Sequence, residues 1–412
     1  MSKNKVPEIC FNGFSKELVE TRLGDICTIG DIDHRMPKSV LEGIPYLMTG
    51  DFIDNNGLDF KNCKFISIED YEQLSRKIKP EVNDILFARY ASVGDVRYVE
   101  TNIKFLISYS CAIIKCNKDI VGRFLFYYLQ SNRIQYQIEI NINTGSQRNI
   151  GIDSLKKLTI FIPKIEEQIK IGNYFQHLDI FIEKKEKKYQ KLKQFKKAML
   201  DKMFPKNGAD TPEIRFKGFS GKWEEKKLGD IGNTYTGLSG KTKEDFGHGE
   251  GRFVTYMNVF SNPISKQNLT EPIEIDEKQN EVQFGDVFFT TSSETPEEVG
   301  MTSVWMNKEK NIYLNSFCFA YRPEKVFDNY YLAYMLRSSS IRKKIVFLAQ
   351  GISRYNISKN KVMEIYVPIP HIEEQIKIGS YFQKLDKQID LQQKELEKQK
   401  NIKKASLAKM FI

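Results

Sequence analysis

IPKIEEQIKIGNYFQHLDIFIEKKEKKYQKLKQFKKAMLDKMF runs from Ile162 to Phe204, and IPHIEEQIKIGSYFQKLDKQIDLQQKELEKQKNIKKASLAKMF runs from Ile369 to Phe411. Pro163 matches Pro370, Gly172 matches Gly379, Phe175 matches Phe382, and Met203-Phe204 matches Met410-Phe411, without a gap. Chance does not produce such a register, so the chain is a duplication.

Each copy reads as a strand end, a proline and then a long helix. Proline is tolerated where a helix starts, because its missing N–H has no partner to lose. Glu166-Glu167 and Glu373-Glu374 fall in the first turn and Lys196-Lys197 and Lys403-Lys404 near the last, as the helix dipole favours. Roughly 32 residues from Gly172 to Met203 predict a helix about 48 Å long. The apolar stripe is thin: Leu178, Ile182, Tyr189, Leu192 and Met199 in one copy, Leu385, Ile389 and Leu396 in the other. That spacing is near the coiled-coil repeat, with polar residues at several seam positions. It is too narrow for a globular core and suits one partner helix. We take the two copies to pair with each other; a solvated single helix, or a coiled coil with another protein, is the alternative.

The repeat reaches back to PEICFNGFSKELVETRLGDI (7–26) and PEIRFKGFSGKWEEKKLGDI (212–231). A period near 206 residues is far too long for a solenoid and means two homologous domains. The expected organisation is a first domain over 1–163, a helix over 164–204, a linker and second domain over 205–370, and a second helix over 371–412. The linker begins with the turn-rich Pro205 to Pro212. Within each domain, short runs rich in Val, Ile, Tyr and Phe predict strands first and a helical part later, an α+β unit. The inner segments diverge: Cys27 to Val40 has little in common with Asn233 to Gly251. Two copies with one frame and different loops are what two binding modules with different ligands look like.

The 412 residues carry a net charge of +10 and a pI near 9.0, which favours an acidic polymer as partner. Six cysteines without CxxC spacing read as free thiols of a reducing compartment rather than a disulfide frame or zinc site. There is no secretory leader pattern and no long apolar run, so a cytoplasmic protein with no membrane partner is expected. No phosphate loop, nucleophile elbow or zinc-ligand cluster occurs. Asn262-Pro263-Ile264-Ser265 is the nearest string to an amino-methyltransferase signature and reads as a turn. The chain offers binding surfaces, with no catalytic residue and no metal site.

Loops that mix Arg or Lys with Ser, Thr, Asn and Gln can bond phosphates and base edges. In the first domain these are Arg35 and Lys38, Arg89, Tyr90 and Ser92, and Gln147, Arg148 and Asn149. In the second they are Ser239, Lys241 and Lys243, Thr290, Thr291, Ser292 and Ser293, and Ser353, Arg354 and Tyr355. Arg148 and Arg354 each follow a glycine (Gly145, Gly351) just before the last strand, and are taken as a matched pair. Ordinary solvated loop charge is the other reading of any one of these residues.

The duplicated IPxIEEQxKIGxYF boundary, the KKAMLDKMF and KKASLAKMF helix ends, and PEIRFKGF with LGDI resemble, end to end, the specificity subunit of type I restriction–modification enzymes. The resemblance implies two target recognition domains, each reading one half of a split double-stranded DNA site. It implies that the repeated helices are conserved regions packed antiparallel as a spacer, giving pseudo-twofold symmetry. Two methylation subunits would dock on them, and two motor–nuclease subunits would complete the enzyme. S-adenosylmethionine, ATP and Mg would sit on those partners, none on this chain, which would carry no chemistry of its own. A coiled-coil scaffold with protein-binding modules is the rival function; an autonomous modification enzyme with a divergent site is the other.

Overall fold

The computed structural model describes residues 7–12, 18–145 and 147–411, so the GFSKE stretch of the N-terminal repeat and the first six residues lie outside the described residues. Two compact units emerge. The first comprises 1–186 with 394–412, the second 187–393. Each is built of sheets followed by helices, as the α+β reading expects.

In the first unit a four-stranded antiparallel sheet has the order Cys27–Gly30, Cys111–Cys116, Ile85–Ala88, Val96–Tyr98. Ile85-Leu86-Phe87-Ala88 looks like a continuous apolar run because both of its faces are covered, and successive side chains of a strand point to opposite faces. Ile85 and Phe87 pack with Ala112 and Ile114 in the core that also holds the helices Gly122–Tyr128, Asn132–Ile140 and Ile152–Lys156. Leu86 and Ile113 face the other way, into the core beneath a smaller sheet of Lys64–Ile66, Ile44–Leu47 and Leu106–Ile107. The ribbon Val19–Arg22 with Thr159–Ile162 ties the start of the unit to its last strand.

The second unit repeats this plan. Its sheet runs Gly232–Thr236, Cys318–Pro323, Val287–Thr290, Thr302–Val304. Val287 and Phe289 enter one core and Phe288 the other. The helices Asn329–Met335, Ser339–Phe347 and Lys359–Met363 follow, and Glu224–Lys227 pairs with Tyr366–Ile369.

The two long helices are Ile165–Lys202 and Ile372–Met410. Residues 171, 175, 178, 182, 185, 189, 192, 196, 199 and 203 are all buried or half-buried, and so are 378, 382, 385, 389, 392, 396, 399, 403, 406 and 410. Both series step by four and three, the knobs-into-holes repeat. Leu178, Ile182, Tyr189, Leu192, Met199, Leu385, Ile389 and Leu396 all belong to these seams. The helices run antiparallel within each unit. In the first, the Tyr174 and Ser406 hydroxyls bond at 3.1 Å, Lys403 reaches Asp179 at 2.6 Å, Lys400 reaches Glu186 at 2.5 Å, and Lys185 reaches Glu395. In the second, Tyr189 bonds Gln393 at 3.3 Å and Lys196 pairs with Asp386.

Each unit's core therefore takes its last pieces from the other repeat's helix. Met410 and Phe411 join the first unit, with Phe411 stacked on Phe175 at 5.6 Å. Met203 and Phe204 join the second, with Phe204 stacked on Phe382 at 5.9 Å. A matching triad marks each junction. Tyr127 donates to Asp179 at 2.9 Å while Lys403 pairs with Asp179; Tyr334 donates to Asp386 at 2.9 Å while Lys196 pairs with Asp386.

The repeated motif residues now have physical reasons. Gln168 accepts from Val121 N at 2.8 Å and donates to Pro163 O at 3.0 Å; Gln375 accepts from Asp328 N at 2.9 Å and donates to Pro370 O at 2.9 Å. Each thus locks a long helix to the start of the short helix it crosses. At that crossing a Cβ on Gly379 would lie 2.7 Å from Tyr331 N, which leaves room for glycine only, and one on Gly172 would lie 3.2 Å from Phe124 N, a tight contact. The acidic pairs are not simply solvated. Glu166 and Glu373 are exposed, but Glu167 and Glu374 are buried. Glu374 receives both Arg215 Nε at 2.7 Å and Nη2 at 2.8 Å, a bidentate pair. Cys10 occupies the matching place in the first unit, since Ile9 N bonds Lys409 O as Ile214 N bonds Lys202 O. Burial there pushes the Glu167 carboxyl above its ordinary range.

Candidate nucleic-acid interface

In both units a seven-residue hairpin precedes the last short helix. Asn143 and Asn149 close it in the first unit, with Asn143 N to Asn149 O at 2.8 Å. Gln350 and Asn356 close it in the second, at 2.9 and 2.8 Å. A common side-chain bond stiffens each: Asn149 Nδ2 to Gln147 O at 2.8 Å, and Asn356 Nδ2 to Arg354 O at 3.3 Å. Equal closing pairs fix the correspondence, and it differs by one residue from the sequence match. Arg354 stands where Gln147 stands, and Tyr355 stands where Arg148 stands. The glycines misled because Gly351 serves only its own loop: its φ is +143° and an added Cβ would fall 2.1 Å from Arg354 O.

The hairpin is docked on the loop that leaves the central sheet strand. Tyr90 bridges Asn149 in the first unit, while Ser292-Ser293 pairs with Asn356-Tyr355 in the second. The structure therefore brings Arg89, Tyr90 and Ser92 together with Gln147, Arg148 and Asn149, and Thr290 to Ser293 together with Ser353, Arg354 and Tyr355.

The side chains on these loops divide into exposed and committed ones. Ser92, Gln147, Ser353 and Arg354 are exposed; Tyr90, Asn149 and Tyr355 are half-buried. Arg148 is exposed and pairs with Glu139. Arg89, expected to face DNA, is instead buried at 6% exposure. It donates to Ile150 O at 3.0 Å and pairs with Asp31, so it fastens three loops rather than offering a charge. Thr290 is also internal, its hydroxyl accepting from Met301 N at 2.9 Å, and Ser292 and Ser293 are buried in the ribbon. Thr291 donates to Phe317 O at 2.8 Å. Glu294, Glu297 and Glu298 follow directly and are exposed, which disfavours phosphate at that spot.

The remaining candidates lie on a separate loop of each unit. Arg35 is exposed and bonds Asp70 at 2.7 Å and Gln73 at 3.0 Å; Lys38 is exposed. Asp31 in the same loop pairs with Arg89, so this loop is tied to the hairpin face. In the second unit Ser239 and Lys243 are exposed. Lys241 is held by Asp276 at 2.8 Å, and that contact with the Lys278 and Gln279 bonds pushes the Asp276 carboxyl down to about 2. Sequence reasoning missed Asp31 and Phe317. Phe317, at 57% exposure, could have been suspected as an aromatic in a polar turn (Asn315-Ser316-Phe317); a lone buried aspartate gives no pattern.

Among the described residues no group of His, Cys, Asp and Glu could hold a metal ion, and no helix is long and apolar enough to cross a membrane. The described cysteines are all free.

The family model described as the type I restriction modification DNA specificity domain matches residues 15–194 and 220–401. The putative type I restriction enzyme MjaX specificity subunit of Methanocaldococcus jannaschii is 25% identical over 376 residues, 85% of this chain and 83% of that protein. The MjaVIII specificity subunit of the same organism is 24% identical over 404 residues, 90% and 85% of the two chains. Among solved structures, the type I restriction–modification S subunit from M. genitalium aligns with a TM-score of 0.57 at 17% identity, covering 99% of each chain. A chain from a study of complex assembly and conformational transition of a type I system aligns with a TM-score of 0.59 at 18% identity, covering 96% of this chain and 98% of that one. These two share the fold.

Proposed function

The chain belongs to the type I restriction–modification DNA specificity family, and we propose that each of its two units reads one half of a bipartite double-stranded DNA target. The observation that carries this reading is a shared frame with divergent faces. The clamps Gln168 and Gln375, the crossings at Gly172 and Gly379 and the two Tyr–Asp–Lys triads are kept. The hairpin residues between them are not. Such a pattern suits one docking geometry used on two sequences.

In this reading Arg148 and Arg354 reach base edges, where an arginine bonding guanine O6 and N7 gives about 1–3 kcal/mol of discrimination. Arg35, Lys38, Ser239 and Lys243 position the units on phosphates, and Arg89 and Lys241 hold the loops. The paired helices set the gap between half-sites and offer equivalent docking faces to two methylation subunits, through which two motor–nuclease subunits join. S-adenosylmethionine, ATP and Mg belong to those partners, and this chain transfers no group itself. A basic, cytoplasmic, non-catalytic reader is the resulting picture.

The test is competition binding in the presence of the methylation partner, with sequencing of native DNA for methylated adenines to supply the split site. Specific DNA should win over random-sequence DNA by orders of magnitude. Flat competition would favour the scaffold reading, whose DNA affinity is nonspecific and salt-fragile.

A further inference from the structure

Three positions on the second unit's face differ in kind from their counterparts in the first. Phe317 stands where Ser110 stands, because Cys318–Pro323 and Cys111–Cys116 are the same strand. Ile352 and Tyr355 stand where Gly145 and Arg148 stand, as the hairpin closing pairs require. At these places the first unit presents only the exposed Arg148, since the Ser110 hydroxyl is buried and Gly145 has no side chain, whereas the second is apolar and aromatic. Phe317 is 57% exposed and Ile352 is 97% exposed.

These side chains are displayed on fixed backbone. Phe317 O accepts from Thr291 N at 3.0 Å and from Thr291 Oγ1 at 2.8 Å, and Phe317 N donates to Asn315 Oδ1 at 2.9 Å. Asn315 is buried and donates to Val254 O at 2.9 Å. Thr291 O accepts from Ile357 N at 3.0 Å, beside the ribbon in which Tyr355 pairs with Ser293. One run of backbone bonds therefore joins the Phe317 turn to the hairpin of Ile352 and Tyr355. A contact surface held in this way binds without the cost of ordering it. The exposed Glu294, Glu297 and Glu298 beside it argue against charge capture. In the major groove the distinctive apolar feature is the thymine 5-methyl group.

We propose that the second unit, besides the polar contact of Arg354, reads thymine 5-methyl groups in its half-site, with Phe317 and Ile352 in contact and Tyr355 beside them, whereas the first unit relies on polar readout alone. This rests on the reading of the chain as a DNA-sequence reader. The assembled complex of this chain with its methylation subunits is titrated with the native site, replacing thymidine by deoxyuridine in each half-site in turn. Loss of a contacted methyl should weaken binding about fourfold in one half-site only. The double variant Phe317→Ser, Ile352→Gly, at two exposed positions, should erase that methyl dependence and leave the melting temperature unchanged. Sequence-selective binding that ignores the methyl groups of both half-sites would overturn this inference alone. So would methyl dependence that survives in the double variant. Flat competition by random DNA would overturn the reader assignment and the inference with it.

Discussion

Phe411→Ala should unfold the unit that its place in sequence does not suggest. Phe411 ends the second repeat, yet its ring is 5% exposed within the first unit. It stacks on Phe175 and meets Phe124 at 5.6 Å and Tyr128 at 5.2 Å in edge-on contacts. Truncating a core phenylalanine costs about 3–5 kcal/mol. The position at a helix end allows some collapse, so the lower part, about 3–4 kcal/mol, is expected. At about 2–4 °C per kcal/mol for 150–250 residues, the first unit's transition should fall by about 6–16 °C. Hydrogen exchange read by mass spectrometry locates the damage. Segments 122–140 and 19–32 should lose protection, while 329–347 should keep it. Phe204→Ala is the mirror experiment and should expose 329–347 instead. If Phe411→Ala loosened 329–347 and spared 122–140, the exchange of helix ends would be refuted.

Arg354→Ala should relax one half-site by about 1–3 kcal/mol, roughly 5- to 150-fold, and leave the other intact in a methylation assay on both halves; equal loss at both halves would count against modular reading. Glu167 titrates above its ordinary 4.5 because burial disfavours its charge. A raised carboxyl contributes stability that is fully present below the ordinary value and is lost as pH rises through the folded one, so the contribution of Glu167 to the melting temperature should fall as pH rises above about 4.5. Glu167→Gln should flatten that slope, and Cys10→Arg should stabilise the unit near neutrality by supplying the cation that Arg215 gives Glu374; melts across pH check both. Deleting 186–192 together with 390–396 removes one heptad from each long helix, about 10 Å. The tolerated gap between half-sites should then shorten by about three base pairs at 3.4 Å each, and methylome sequencing showing an unchanged gap would end the spacer role.

The duplication and the long helices were legible because a repeat in strict register and a four–three apolar spacing are one-dimensional signals. Leu178, Ile182, Leu385 and Ile389 declare a seam without any knowledge of the partner. The hairpin correspondence was not legible. Gly145 and Gly351 suggested Arg148 against Arg354, but a glycine marks a backbone need of its own loop, and only the closing pairs Asn143–Asn149 and Gln350–Asn356 fix the register. Burial of Arg89 was also hidden, because its partner Asp31 is distant in sequence and no local pattern distinguishes a fastening arginine from a reading one. The placing of the acidic pairs in the first helical turn was legible, but which member of each is buried was not: Glu166 and Glu167 look alike, and only helix phase decides which one turns inward.

The triads explain how the frame can stay fixed while the faces change. Asp179 and Asp386 lie on the helix of their own repeat, and each takes a hydroxyl from its own unit and a lysine from the other repeat. A change in either repeat's helix end is therefore felt in the partner repeat's core, which opposes drift there. The hairpin has the opposite wiring. Its outermost residues are solvent-facing, with Phe317 on the adjoining loop 57% exposed and Ile352 97% exposed, so these can replace Ser110 and Gly145 without disturbing Gln375 or Tyr334. Divergence then accumulates where the energetic cost is small, which is the face available to a ligand. A substitution at Lys196 or Lys403 should on this argument lower stability in the unit to which each lysine is lent. One at Ile352 should alter recognition with no effect on melting.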